Sequence, residues 1–481
     1  VKRTAIALAA AAAALLNVSG AAAAATSYPN DYFFVTDHDQ WGLGPSPGIN
    51  APAAWCASTG QGILVADIDT GANFGNPDLA GKLVAGAAFL GRSASDENSP
   101  SGTGQAAVQD DHGHGSMTTG IMVANTANGQ GMAAVAPDAK ALIVKVLGSD
   151  GGGYESDISY GIKWAANHGA QVINISIGPG EVIKGSGVAV GSSAPITQAI
   201  QYAVSKGVAV AVAAGNSGIP TSDYVALRQN TQAVIVGALG PSDTVAGYSN
   251  YGYGISVYAP GGDAPSQDQA TIHNEIVSTW ITKGDVQYAI GQGSSFAAPH
   301  VAGVLAQLMA TGMSAAQAMR TVSTRTATSS DGFPQLDAAL ALGVSPSGRC
   351  GAPSSSAPVA PAGLVGPGGK SESFAPPPTQ APRTGTAPPA GQRTAAPVPA
   401  SGHATPSPTA DVAAAVATAT ADPAGHSGAP PLAGTSTAPG GGGGGGAPNP
   451  LVLASLAGVI AVGAPAAVHV ARLVRRSRLP R

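Results

Sequence analysis

The chain has 481 residues and a net charge of −4, long enough for two or three domains and for a full core without disulfide or metal staples. Two cysteines exclude a disulfide-dense mini-protein, and a 10% charged fraction with a slightly acidic balance gives no basic surface for nucleic acid. With 67 glycines and 38 prolines, segments of low complexity are expected, and their distribution sets the domain limits.

Residues 1–25 read as an export signal: Lys2 and Arg3 precede an Ala/Leu-rich stretch from Thr4 to Val18, and Ala23-Ala24-Ala25 forms a small-residue cleavage site. Residues 26–350 form the predicted folded domain. There, apolar runs at Gly62–Ala66, Ala141–Leu147, Val172–Ile175, Gly207–Val212 and Ala233–Val236 alternate with helical patterns at Ser156–His168, Thr197–Lys206 and Ala298–Met309. Runs apolar on both faces suit parallel strands, so the expected fold is α/β, a doubly wound and mostly parallel sheet flanked by helices. Residues 351–450 hold 20 of the 38 prolines, a seven-residue glycine run and only six charged residues. Such a segment cannot bury enough to offset its ordering entropy and reads as a disordered linker, with a random-coil reach of roughly 50–60 Å. Residues 451–470 are apolar over about the length of one transmembrane helix. The tail, residues 471–481, carries Arg472, Arg475, Arg476, Arg478 and Arg481, which places it on the cytoplasmic side. The expected protein is therefore single-pass, with its folded domain outside the cell. Without the signal and tail, 15 Lys/Arg face 26 Asp/Glu, so the exported part is clearly acidic.

Three segments bring reactive side chains to the ends of predicted elements. Val65-Ala66-Asp67-Ile68-Asp69-Thr70-Gly71 is an apolar strand ending in a carboxylate, which is costly there without a partner. Asp110-Asp111-His112-Gly113-His114-Gly115-Ser116 sets Gly-flanked imidazoles before a small-residue helix, Met117–Ala124. Gly291-Gln292-Gly293-Ser294-Ser295-Phe296-Ala297-Ala298-Pro299-His300 is a Gly-rich loop that opens a long helix, with serine at its positive end. Asp, His and Ser in this chain order are one arrangement of the acyl-transfer triad: the imidazole takes the hydroxyl proton and the buried acid fixes its tautomer.

Asp69-Thr70-Gly71, His114-Gly115-Ser116 and Gly293-Ser294-Ser295-Phe296-Ala297-Ala298-Pro299 resemble the three signatures of the subtilisin-like serine proteases, the subtilases. The resemblance extends over most of Asn30–Gly343 and takes in Asn76-Pro77-Asp78-Leu79, Val135-Ala136-Pro137, Val172-Ile173-Asn174-Ile175-Ser176 and Ala213-Ala214-Gly215-Asn216. It implies Ser295 as nucleophile, His114 as base, Asp69 as orienting acid and Asn216 as oxyanion donor, and it leaves His112 and Asp67 as decoys. It also implies that Gly151-Gly152-Gly153 and Ser176-Ile177-Gly178 are the two backbone edges that hold a peptide as an added strand. Ala213, Ala214 and Gly215 are then expected as walls of the first side-chain pocket. Ser217 after Asn216 brings no carboxylate, so apolar or aromatic side chains are the expected preference.

Calcium is implied by Asp31, Asp78 and Asn128, which match side-chain ligand positions of the family, with carbonyls added from Asn125–Met132. In an exported chain the two cysteines, Cys56 and Cys350, are expected to form one disulfide. Ser116, Met117 and Ser294 depart from the usual signature residues. Phe296 stands where many relatives carry an oxidisable Met, so slower inactivation by peroxide is expected. No pro-domain separates Ala25 from Asn30-Asp31-Tyr32-Phe33, which resembles the start of a mature catalytic domain, so unaided folding or a chaperone in trans is expected. The layout resembles the mycosins of type VII secretion, whereas Asn30–Phe33 and Gln40–Leu43 look more like secreted degradative subtilases. The expected partners are protein or peptide substrates, the membrane and a cell-wall or secretion-system component. A catalytically silent surface scaffold is the alternative of another class.

Overall fold

A computed structural model describes residues 29–35, 40–91, 93–177, 192–264, 272–283 and 286–347. The expected signal, linker, span and basic tail lie outside these residues, as do Gly178 and Cys350. Among the described residues no helix is long and apolar enough to cross a membrane.

The strands are β1 (Leu64–Asp69), β2 (Leu83–Ala88), β3 (Gly102–Thr103), β4 (Lys140–Lys145), β5 (Val172–Ile175), β6 (Ala209–Ala213), β7 (Val234–Leu239), β8 (Val257–Pro260), β9 (Ile276–Lys283), β10 (Val286–Gly291), β11 (Ala327–Thr328) and β12 (Pro334–Gln335). The helices are α1 (Tyr32–Val35), α2 (Ala51–Ala54), α3 (Gln105–Val108), α4 (His114–Val123), α5 (Glu155–Asn167), α6 (Ala194–Ser205), α7 (Ser222–Thr231), α8 (Ser294–Ala310), α9 (Ala315–Thr324) and α10 (Ala338–Leu342).

Ten strands form one sheet in the order β11-β12-β8-β7-β6-β5-β1-β4-β2-β3, and β9 and β10 make a separate antiparallel pair. The run from β8 to β2 is parallel throughout. Alternate side chains feed two cores, as the two-residue strand period requires. Val65, Ile143, Ala211 and Val234 pack with α4, α8 and α9. Ala66, Ile68, Leu142, Ile173 and Val210 pack with α5 and α6 on the opposite face. The fold class expected from the sequence is the one observed.

β1 lies between β5 and β4, where the chain has changed its direction of travel across the sheet. Ligands in open α/β sheets bind outside the carboxyl ends of strands at such a point. Asp69 is the last residue of β1. Two helices begin earlier than their apolar periodicity suggests. α4 starts at His114 and α8 at Ser294, because hydrogen bonds from their first turns to the Thr70, Asp110 and Asn216 side chains, rather than apolar spacing, fix those turns. β9, β10 and α7 escaped the sequence reading, since α7 is rich in polar residues and the ribbon lacks a long apolar run.

Candidate active site

Val65, Asp67 and Asp69 share one face of β1, and that face looks onto α4. At its end, His114 Nδ1 lies 2.8 Å from Oδ1 and 2.9 Å from Oδ2 of Asp69. Asp69 is 1% exposed and the His114 side chain 14%, so the pair sits at the mouth of the sheet with the acid beneath. The Thr70 N–H donates to Asp69 Oδ1 at 2.7 Å, giving the buried carboxylate a second donor. His112 stands aside, its ring centroid 6.4 Å from that of His114. Burial, and next the neighbouring His114, lowers the proton affinity of His112.

Asp110 fixes the start of α4. Its Oδ1 accepts the N–H groups of His112 and Gly113 and the Thr70 hydroxyl, each at 2.9 Å. Its Oδ2 accepts the Ser116 N–H at 2.9 Å and the Ser116 hydroxyl at 2.6 Å. The Gly115 N–H donates to Thr70 Oγ1 at 2.9 Å, which ties the same turn to the end of β1. Lys145, buried at the end of β4, donates from Nζ to the Thr70 and Leu147 carbonyls and to Asp111 at 2.5, 2.8 and 2.7 Å. Sequence reasoning gave Asp110 and Lys145 no role. An acid just ahead of a helix start was the available signal for the first; the second had none.

Ser295 is the second residue of α8 and is 2% exposed. Among the described residues its Oγ has no hydrogen-bond partner, whereas its carbonyl accepts the Ser176 hydroxyl at 2.7 Å. Ser294 anchors the loop beside it: its N–H donates to Asn216 Oδ1 at 2.8 Å and its Oγ accepts the Gly215 N–H at 2.9 Å. With Oδ1 so engaged, Asn216 Nδ2 and the Ser295 N–H converge. A Cβ placed on Gly293 would lie 3.4 Å from the first and 3.6 Å from the second nitrogen. Two N–H-bearing nitrogens this near one point at a helix N-terminus can stabilise a developing oxyanion. Asn250, also missed from the sequence, holds the 214–219 loop by donating to the Ala214 carbonyl at 2.8 Å and accepting the Ser217 and Ile219 N–H groups at 3.0 and 3.1 Å.

Of the six residues expected to form the substrate edges, all but Gly178 are described. Gly151, Gly152 and Gly153 form a tight loop after β4, closed by the Gly148 N–H to the Gly152 carbonyl at 2.9 Å. Ser176 and Ile177 follow β5 and are buried at 1% and 2% exposure. Ala213, Ala214 and Gly215 are all buried: Ala213 ends the central strand β6, the Ala213 and Ala214 methyls fill the two cores, and exposed surface begins at Ser217 and Ile219.

Asp31, Asp78 and Asn128 come together away from this site. The Ala127 and Asn128 N–H groups donate to Asp31 at 2.8 and 3.1 Å, and Asn128 Nδ2 donates to Asp78 Oδ1 at 2.9 Å. Asp78 Oδ2 also accepts from the Met132 N–H and the Tyr288 hydroxyl, both at 2.9 Å. Burial pushes the Asp31 carboxyl up to about 7 and raises that of Asp78. No Lys or Arg pairs with either among the described residues. Two buried carboxylates beside an amide and a carbonyl-rich loop are the hard-oxygen donor chemistry of Ca²⁺. Among the described residues no three His, Cys, Asp or Glu side chains converge, so a cage here needs the Asn128 and backbone oxygens. Cys56 follows α2 on an exposed surface.

The sequence model of the subtilase family, Peptidase_S8, matches residues 60–343. Thermitase of Thermoactinomyces vulgaris is 36% identical over 287 residues, which span 60% of this chain and 87% of thermitase. Subtilisin BL of Lederbergia lenta is 36% identical over 267 residues, spanning 55% of this chain and 82% of the relative. Among solved structures, a protease of Pseudoalteromonas arctica superposes with a TM-score of 0.55 at 31% identity, covering 66% of this chain and 99% of that protein. With its parallel sheet, the acid–imidazole pair at the end of β1 and the serine at the start of α8, this chain belongs to the subtilase family of subtilisin-like serine proteases.

Proposed function

We propose that the chain is a serine endopeptidase that cleaves peptide bonds through Asp69, His114 and Ser295, with Asn216 and the Ser295 N–H as oxyanion donors. The observation that carries this reading is the bond of His114 Nδ1 to both oxygens of buried Asp69. With Nδ1 held as donor, Nε2 is the nitrogen left to take a proton. Ser295 Oγ attacks the scissile carbonyl while its proton passes to His114 Nε2. The oxyanion develops between the two donors, and collapse breaks the C–N bond as His114 returns the proton to the leaving amine. Water, deprotonated by the same imidazole, then cleaves the acyl-enzyme and frees Ser295. Hydrogen bonds to a nucleophile commonly tighten only when substrate is bound, which accommodates the unpartnered Oγ. Hydrolysis of an unfolded protein should be abolished by Ser295→Ala in a variant of unchanged melting temperature; equal activity in that variant would sink the proposal.

The finer assignments belong to the same reading. A peptide is held as a strand between Gly151-Gly152-Gly153 and Ser176-Ile177-Gly178, and apolar or aromatic side chains are preferred before the scissile bond. Tenfold better cleavage after Arg than after Phe would contradict that preference. Asp31, Asp78 and Asn128 would hold a structural Ca²⁺, whose charge offsets the burial of the two carboxylates. Cys56 and Cys350 are paired. The chain is exported and anchored through residues 451–470, with the protease outside and a secretion or cell-wall component as partner. The sequence features of residues 1–25 and 451–481 support this setting. Recovery in the membrane fraction, and release to the medium on truncation after residue 350, would bear it out; a soluble full-length chain would not.

A further inference from the structure

Asp67, two residues before Asp69, is a buried acid that the hydrolytic steps do not use. It is 1% exposed, and no Lys or Arg pairs with it among the described residues. Its Oδ2 accepts the hydroxyls of Thr118 and Thr119, each at 2.7 Å, and its Oδ1 accepts Asn174 Nδ2 at 2.9 Å. Thr118 and Thr119 lie on α4, one turn beyond His114, and the Thr118 Oγ1 is also 3.0 Å from the Gly115 carbonyl. Asn174 lies directly across from Asp67 in the register of β5 on β1. The second Nδ2 hydrogen of Asn174 goes to Ser176 Oγ at 2.9 Å, and Ser176 donates to the Ser295 carbonyl at 2.7 Å. Asn174 Oδ1 is buried and has no partner among the described residues, so the amide orientation is set by its two donated bonds.

We propose that Asp67 is a positioning residue for hydrolysis: its hydrogen bonds tie the helix that begins with His114, and through Asn174 and Ser176 the backbone of Ser295, to the strand that ends in Asp69. A simple stabilising role explains the group less well. A buried carboxylate without a cation is costly, and Val in its place with Val for both Thr residues is the kind of apolar exchange that is often neutral or stabilising. What the polar cluster supplies is a fixed geometry among three separate elements, and misplacement of about 1 Å costs rate steeply. Burial, and next the charge of Asp69 on the same face, raise the Asp67 proton affinity, in keeping with a cluster held by hydrogen bonds and not by an ion pair.

The proposal rests on Ser295 as nucleophile, so the experiment first titrates active sites with a fluorophosphonate. An unlabelled wild-type chain would sink the protease reading itself. With labelled wild type, kcat and KM per titrated site are compared with those of the triple variant Asp67→Val, Thr118→Val, Thr119→Val and of Asp67→Asn. The triple variant leaves one buried Asn174 amide hydrogen without its acceptor, so it is expected to stay folded with a melting temperature within about 5 °C of wild type while kcat falls about tenfold and KM changes less than about twofold. Asp67→Asn keeps an oxygen for Asn174 and offers amide hydrogens that rotated Thr hydroxyls accept, so it should retain kcat within about threefold. Wild-type kcat in the triple variant would overturn the proposal, and so would an equal loss in Asp67→Asn. If the triple variant does not fold, Thr119→Val carries the test: about threefold lower kcat supports it and unchanged kcat overturns it.

Discussion

Asn216 spends its carbonyl oxygen on the Ser294 N–H, and this bond decides what its amide nitrogen can do. Serine at 294 serves where the family usually has threonine, because the contact that matters is the Gly215 N–H on Oγ and not a methyl. Ser116 likewise keeps the hydroxyl that binds Asp110. Replacing Asn216 by Ala removes one of two donors that act as charge develops, so kcat should fall about 100- to 1000-fold with little change in KM. Steady-state kinetics on a peptide substrate measure this; a rise in KM alone would mean that Asn216 binds ground-state substrate. Phe296 tilts against His114 with ring centroids 5.6 Å apart, an apolar neighbour that peroxide does not convert to a sulfoxide.

β1, α4 and α8 meet where their backbones approach closely, and the glycines there are set by space. A Cβ on Gly115 would sit 2.1 Å from the Gly71 carbonyl oxygen and 3.1 Å from Asp69 Oδ1. Gly115→Ala should push the first turn of α4 off β1, break the His114–Asp69 bonds and lower kcat by at least about 100-fold. An X-ray structure and kinetics check both halves, and a fully active Gly115→Ala enzyme would contradict the packing. The strands were legible because apolar runs such as Ala141–Leu147 and Gly207–Val212 are buried on both faces. Asp69, His114 and Ser295 were legible through short motifs with glycines at close approaches. Lys145 and Asn250 were not, because their roles arise from hydrogen bonds across tens of residues that no local pattern announces, whereas Asp110 binds His112, Gly113 and Ser116 close by and was signalled only as an acid ahead of a helix start. Asp67 reads in the sequence as a second candidate acid, and only the strand register and the α4 contact show that it faces Thr118, Thr119 and Asn174.

At the scale of the whole molecule, the Asp31–Asp78 cluster links the N-terminal segment to the loop after α4 and to β10 through Tyr288. The Asp31 carboxyl, pushed up to about 7 by burial, binds a proton more tightly in the folded than in the unfolded chain. Its contribution to stability is therefore full below about pH 4 and is lost as pH rises through about 7. In chelator the melting temperature should drop across that window, and millimolar Ca²⁺ should restore it most at the upper end. A melting temperature indifferent to Ca²⁺ at pH 8 would remove calcium from these residues. The central claim is that one serine at the start of α8, activated across the sheet by His114 and Asp69, carries the chemistry. Its most direct test is to treat the full chain with a fluorophosphonate and map the adduct by mass spectrometry. A single adduct on Ser295, absent in both Ser295→Ala and His114→Ala, is the expected result; a folded chain that takes no adduct, or takes it at another residue, would contradict the claim.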